Sequence, residues 1–126
     1  MLATAGTPSA TNASSFVVTA NAVEGNKDGL FFYSTNGRQA FSWGTSSSFQ
    51  CVAPPVQRGG LLLGNGTSNT CDGVLAQDIN ARFAAKPAHN PGPGAIMQLQ
   101  LWYRDPQSAS NQTTALSDAI EFVVCP

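Results

Sequence analysis

The sequence predicts an all-β fold, an antiparallel β-sandwich of about eight short strands. Short strand-like runs recur along the chain, separated by turn signals roughly every 8–12 residues. One of these runs, AIMQLQLWY (95–103), alternates strictly, with Met97, Leu99 and Leu101 on one parity and Gln98, Gln100 and Trp102 on the other. That is the period of two a strand imposes. No segment keeps a helical apolar period beyond about two turns.

The elements follow in order. The opening MLATAGTPSATNASS is polar and reads as a flexible leader over residues 1–14, ahead of a single sandwich domain over residues 15–126. SFVVTA (15–20) is the first strand. GLFFYST (29–35) is followed by NGR, where Asn36-Gly37 accepts the positive φ of a tight turn, and QAFSW (39–43) completes a hairpin. SFQCV (48–52) alternates until Pro54-Pro55 stops it. GGLLLG (59–64) is apolar but too brief to assign. In GVLAQDINARF, Leu75, Ile79, Ala81 and Phe83 share one parity while Asp78, Asn80 and Arg82 share the other, which predicts a half-buried strand. KPAHNPGPG (86–94) is a Pro/Gly loop. The run AIEFVVC (119–125) is the last strand, and with strand 96–103 it forms the closing hairpin of an immunoglobulin-like sandwich; a jelly roll is the alternative topology.

Charged residues make up 10% of the chain, less than half the roughly 25% of ordinary soluble domains. Ser, Thr, Asn, Gln, Gly and Pro fill the gap, as suits uncharged loops over the core of an extracellular β-domain. Six scattered Lys and Arg build no cationic stripe, so nucleic acid is excluded as a partner. No apolar run approaches the roughly 20 residues of a membrane span. The opening also lacks the charged start and apolar stretch of a signal peptide, so export would imply a mature or excised domain.

Catalytic signals are thin. His89 is the single histidine, in a surface loop, and no zinc spacing, nucleophile elbow or phosphate-binding glycine loop is present. The expectation is therefore no catalytic residue, no cofactor and no metal. Calcium near Asp72 and Asp78 lacks a ligand-rich loop. A small hydrolase is the distant alternative, using two carboxylates among Asp72, Asp78, Asp105, Asp118 and Glu121. Binding is better supplied. Trp43, Trp102 and Tyr103 are candidates to stack on sugar rings, and the parity of Trp102 turns it away from Met97, Leu99 and Leu101. Arg104 and Asp105 are candidates for a polar clamp beside them. Their structural alternative is a strand exit before Pro106, with Arg104 covering turn carbonyls or pairing with Asp118 or Glu121. Ser117 and Asp118 are expected to cap a short turn before the last strand.

In chain order, GTPSATNASSFVVTANAV, GLFFYS, FQCV, CDG, WYRDP and LSDAIEFVVCP resemble a domain found at the C-terminal end of large secreted proteins of environmental bacteria. The resemblance covers nearly the whole chain and is most specific from residue 98 onward. It implies a secreted or cell-surface, cysteine-crosslinked β-domain serving as an appendage, without a settled activity. Within that pattern, Cys51 and Cys125 are expected to form a disulfide that leaves Cys71 a free thiol; the rival pairing is Cys51–Cys71. Two departures stand out. GTSSS (44–48) replaces a GDG turn, and Leu99 stands where relatives carrying the CDG cysteine have a fourth cysteine. The expected function is a non-catalytic module for adhesion or recognition, with extracellular polysaccharide or other subunits as partners. The alternative is a self-assembling structural subunit that donates its N-terminal strand, Phe16–Ala20.

Overall fold

A computed structural model describes residues 1–13, 15–44, 48–106 and 113–126. Nine strands and one short α-helix follow in the order β1 (Leu2–Gly6), β2 (Phe16–Val23), β3 (Gly29–Ser34), β4 (Arg38–Trp43), β5 (Ser48–Val52), β6 (Gln57–Arg58), β7 (Gly73–Asp78), α1 (Ile79–Ala85), β8 (Ile96–Arg104) and β9 (Thr114–Val123). Two antiparallel sheets form the sandwich, ordered β1-β2-β7 and β6-β3-β8-β9. With β1, β2 and β7 in one layer and β3, β8 and β9 in the other, the connectivity follows the immunoglobulin pattern. The strands β4 and β5 form a separate hairpin inserted between β3 and β6.

Alternation builds the core between the sheets. Val18 and Ala20 of β2 and Leu75 of β7 meet Phe31 and Tyr33 of β3 and Met97, Leu99 and Leu101 of β8. Phe16 packs on Phe122 of β9 with ring centroids 4.9 Å apart. Past β1 the chain crosses to the edge of the other sheet. Ala10 N–H donates to Cys125 O at 2.8 Å and Cys125 N–H donates to Pro8 O at 2.9 Å.

Several expectations change. Residues 1–14 contain a strand: β1 pairs with β2 from Leu2↔Ala20 to Gly6↔Phe16. The polar side chains of this stretch hid it, because an edge strand needs only Leu2 to reach the core. The strand Phe16–Ala20 is paired on both sides, by β1 and β7, so it has no open edge to donate. The NGR turn does not close a hairpin between β3 and β4. Gly37, at φ 99°, instead redirects the chain so that β4 pairs with β5. The strand predicted over GVLAQDINARF stops at Asp78. That carboxylate accepts from Ala81 N–H at 3.2 Å and caps α1. Leu75, Ile79 and Phe83 are spaced by four, a spacing that satisfies strand parity and one helical face alike. Residues 45–47 of the GTSSS stretch lie outside the described residues.

Ser117 and Asp118 lie inside β9 and not in a turn before it. The register against β8 slips between Gln100 and Trp102, a β-bulge centred on these two residues. There Ser117 Oγ accepts Leu101 N–H at 3.0 Å, and Asp118 Oδ1 accepts Leu2 N–H at 3.1 Å. Among the described residues no helix is long and apolar enough to cross a membrane.

Candidate functional site

The run Leu30-Phe31-Phe32-Tyr33 is apolar on both parities, so both faces of β3 must be covered. Phe31 and Tyr33 enter the core between the sheets. Phe32 points to the outer face of the four-stranded sheet, where it clusters with Val52 and Leu116 and with half-buried Leu30, Trp43, Val56 and Trp102.

Two glutamines on the same outer face of β8 fasten the β4–β5 hairpin there. Gln100 is fully buried. Its Oε1 accepts Cys51 N–H at 3.0 Å, while Nε2 donates to Phe49 O at 2.8 Å and Ser117 O at 2.5 Å. A side-chain amide thus completes the unpaired edge of β5. Gln98 Oε1 accepts Gly37 N–H at 3.1 Å, and its Nε2 donates to Glu121 Oε2 at 2.9 Å. Arg38 also grips Glu121 with a two-pronged ion pair. These donors, Arg38 first and then Gln98, hold the Glu121 carboxyl down at about 2. At the far end of the hairpin, Trp43 Nε1–H donates to Thr114 Oγ1 at 3.1 Å.

The hairpin covers only part of this face. What stays open is a groove of 370 Å³ with Leu30, Phe32, Val56 and Leu116 as its apolar lining and Trp43, Trp102, Gln50 and Arg58 around them. The guanidinium of Arg104 lies 5.7 Å from the Trp102 ring centroid, near the outer limit of roughly 6 Å for a cation–π contact. Phe41, two residues before Trp43 on β4, is 69% exposed. Such a site, apolar and aromatic with a few polar groups at its margin, suits a planar or C–H-faced ligand.

Of the five binding candidates, Trp43, Trp102 and Arg104 come together here. Tyr103 does not, because its parity is that of the core-facing residues, against which it packs half-buried. Burial raises its phenol pKa, helped by the negative charges of Asp105, Cys71 and Glu24. Asp105 is not among the residues that line the groove, and its N–H donates to Thr113 O at 3.0 Å where the hairpin closes. Arg104 pairs with neither Asp118 nor Glu121, which serve Leu2 and Arg38. Leu30, Phe32, Val56, Gln50 and Arg58 were not among the candidates. The unbroken apolar run of β3 was the signal for the first two.

The chain's seven carboxylates are placed elsewhere. Asp28 accepts Gly64 N–H, Asp72 accepts Thr67 N–H, and Asp78 caps α1. Glu24 and Asp105 are with Tyr103. Asp72 and Asp78 flank opposite ends of β7, so they do not converge on a calcium ion. No group of three or more His, Cys, Asp or Glu gathers among the described residues.

The disulfide expectation is corrected, since all three cysteines are free. Cys51 sits on the hairpin beside Gln98, Ala119 and Ile120. Cys125 lies two residues past the end of β9 and six beyond Ala119, about 20 Å along an extended chain, against a bridging limit of roughly 7 Å between Cα atoms. Cys71 is exposed near Tyr103, and its partner Cys51 in the rival pairing is on the other face of the sheet.

His89 is more than a loop residue: its Nδ1 is 2.7 Å from the hydroxyl of the fully buried Tyr33. Burial lowers its pKa, and the charges of Arg82 and Lys86 add to that. No protein-family model, curated protein or solved structure matches this chain.

Proposed function

We propose that this chain is a non-catalytic recognition module, part of a secreted or cell-surface protein, whose outer-face groove binds carbohydrate. The observation that carries the reading is the meeting of Trp43 and Trp102, from a hairpin and a sheet far apart in sequence, around one apolar floor. An indole face covers the C–H face of a pyranose and leaves its hydroxyls to be bonded at the rim. Here Gln50 and Arg58 stand at the rim. Both indoles are partly exposed where they line the groove, which leaves part of each open to a ligand.

Affinity electrophoresis against a panel of polysaccharides tests this. The chain should be retarded by at least one of them, and Trp102→Ala and Trp43→Ala should each abolish retardation while the far-ultraviolet circular dichroism stays that of a β-protein. Retardation that survives both substitutions would move the binding away from the groove.

A further inference from the structure

We propose that the ligand of this groove is a uronate-containing polysaccharide, a proposal that rests on the carbohydrate reading above. The reason is charge. Arg58 lines the groove and Arg104 flanks its Trp102 wall, both exposed, while no carboxylate lines the groove and Asp28, Asp72, Asp78, Asp118 and Glu121 are committed to N–H groups or an ion pair. Among the described residues neither guanidinium has a salt-bridge partner. The chain carries a formal charge of −1, so this cationic rim is a local arrangement against the overall sign. A planar guanidinium fork matches a carboxylate in two parallel hydrogen bonds. An indole next to it covers the apolar face of the same sugar. A uronic acid presents both features on one ring, and a repeating uronate presents them at intervals along a chain laid across the face. Gln50, the remaining polar lining residue, can donate to or accept from a hydroxyl.

Calorimetric titration with oligomers of galacturonate, mannuronate and glucuronate, each beside its carboxyl-reduced neutral counterpart, tests the proposal. At least one uronate oligomer should bind about tenfold more tightly than its neutral counterpart, and added salt should narrow the difference. Arg58→Gln and Arg104→Gln should each weaken uronate binding by about fivefold or more, and should weaken the neutral oligomer by clearly less. Equal affinity for charged and neutral members, or no effect of either substitution, overturns the uronate assignment and leaves the groove intact as a sugar site. Tighter binding of a sulfated oligosaccharide than of any uronate also overturns it. Binding of none of the sugars, or binding indifferent to Trp43→Ala, sinks the carbohydrate reading along with it.

Discussion

Gln100 Oε1 takes the backbone N–H of Cys51 at 3.0 Å, and through Nε2 the same side chain returns a hydrogen bond to Phe49 O. One buried amide on β8 thereby plays the part of a neighbouring strand for β5. Because β5 carries β4 with it, this contact also decides where Trp43 stands relative to Trp102. Shape of the groove and stability of the hairpin are coupled at a single residue.

Replacing that amide should therefore loosen both. Gln100→Leu keeps the volume but leaves Cys51 N–H, Phe49 O and Ser117 O without their partner in a partly buried place. The expected loss is about 3 kcal/mol, from unsatisfied groups that cost about 1–3 kcal/mol each with partial rescue by water. Urea denaturation monitored by tryptophan fluorescence measures it. A loss under about 0.5 kcal/mol would mean that the amide is not the anchor of the hairpin.

The other anchor should fail in acid. Arg38 and Gln98 stabilise the ionised form of Glu121, so its folded pKa lies near 2, below the ordinary 4.5. A depressed carboxyl binds fewer protons folded than unfolded, so its stabilisation is complete above pH 4.5 and is lost as pH falls toward 2. The protection factors of the Gly37 and Arg38 amides, their exchange rates corrected for the intrinsic pH dependence, should fall across that window. In Glu121→Gln that fall should vanish, because the pair is already broken at neutral pH.

How much of this was readable beforehand differs by residue. The two-layer β-fold, the hairpin of β8 with β9 and the outward turn of Trp102 all followed from alternation, which one sheet face enforces locally. Trp43 was visible as an aromatic, but its place beside Trp102 was not, since it depends on Gln98 and Gln100 reaching across to another element. Their polar parity reads as a solvent-facing side; in fact it is the side the hairpin covers. The helix α1 escaped because Leu75, Ile79 and Phe83 fit both periods, and only the capping role of Asp78 separates them. The expected Cys51–Cys125 pairing came from resemblance alone, and the register of β9 places those residues apart.

Free thiols have a direct signature. Native protein treated with iodoacetamide, without reductant, should gain three adducts, one for each of Cys51, Cys71 and Cys125. Cys71 should react first, being exposed where the others are half-buried. A species that accepts fewer adducts until reduced would contradict the separation of Cys51 from Cys125. Mapping by peptide mass spectrometry identifies which residue reacted.

The Tyr33–His89 contact makes a different prediction about protons. The phenol pKa is raised, chiefly by burial, so Tyr33 stays protonated and donates to His89 Nδ1, which leaves the imidazole proton on Nε2. Nitrogen shifts in an NMR titration should report that tautomer at pH 7, with a midpoint below the ordinary 6.5. For a base with a lowered folded pKa, the unfolded chain binds the extra proton. The stabilisation is thus whole above pH 6.5 and declines as pH falls through the folded midpoint. Tyr33→Phe removes the hydroxyl and should cost about 1 kcal/mol, while the midpoint stays low because burial and the nearby cations Arg82 and Lys86 persist. A midpoint at or above 6.5 in the native chain would show that His89 is not packed against Tyr33 and Arg82 as the structure has it.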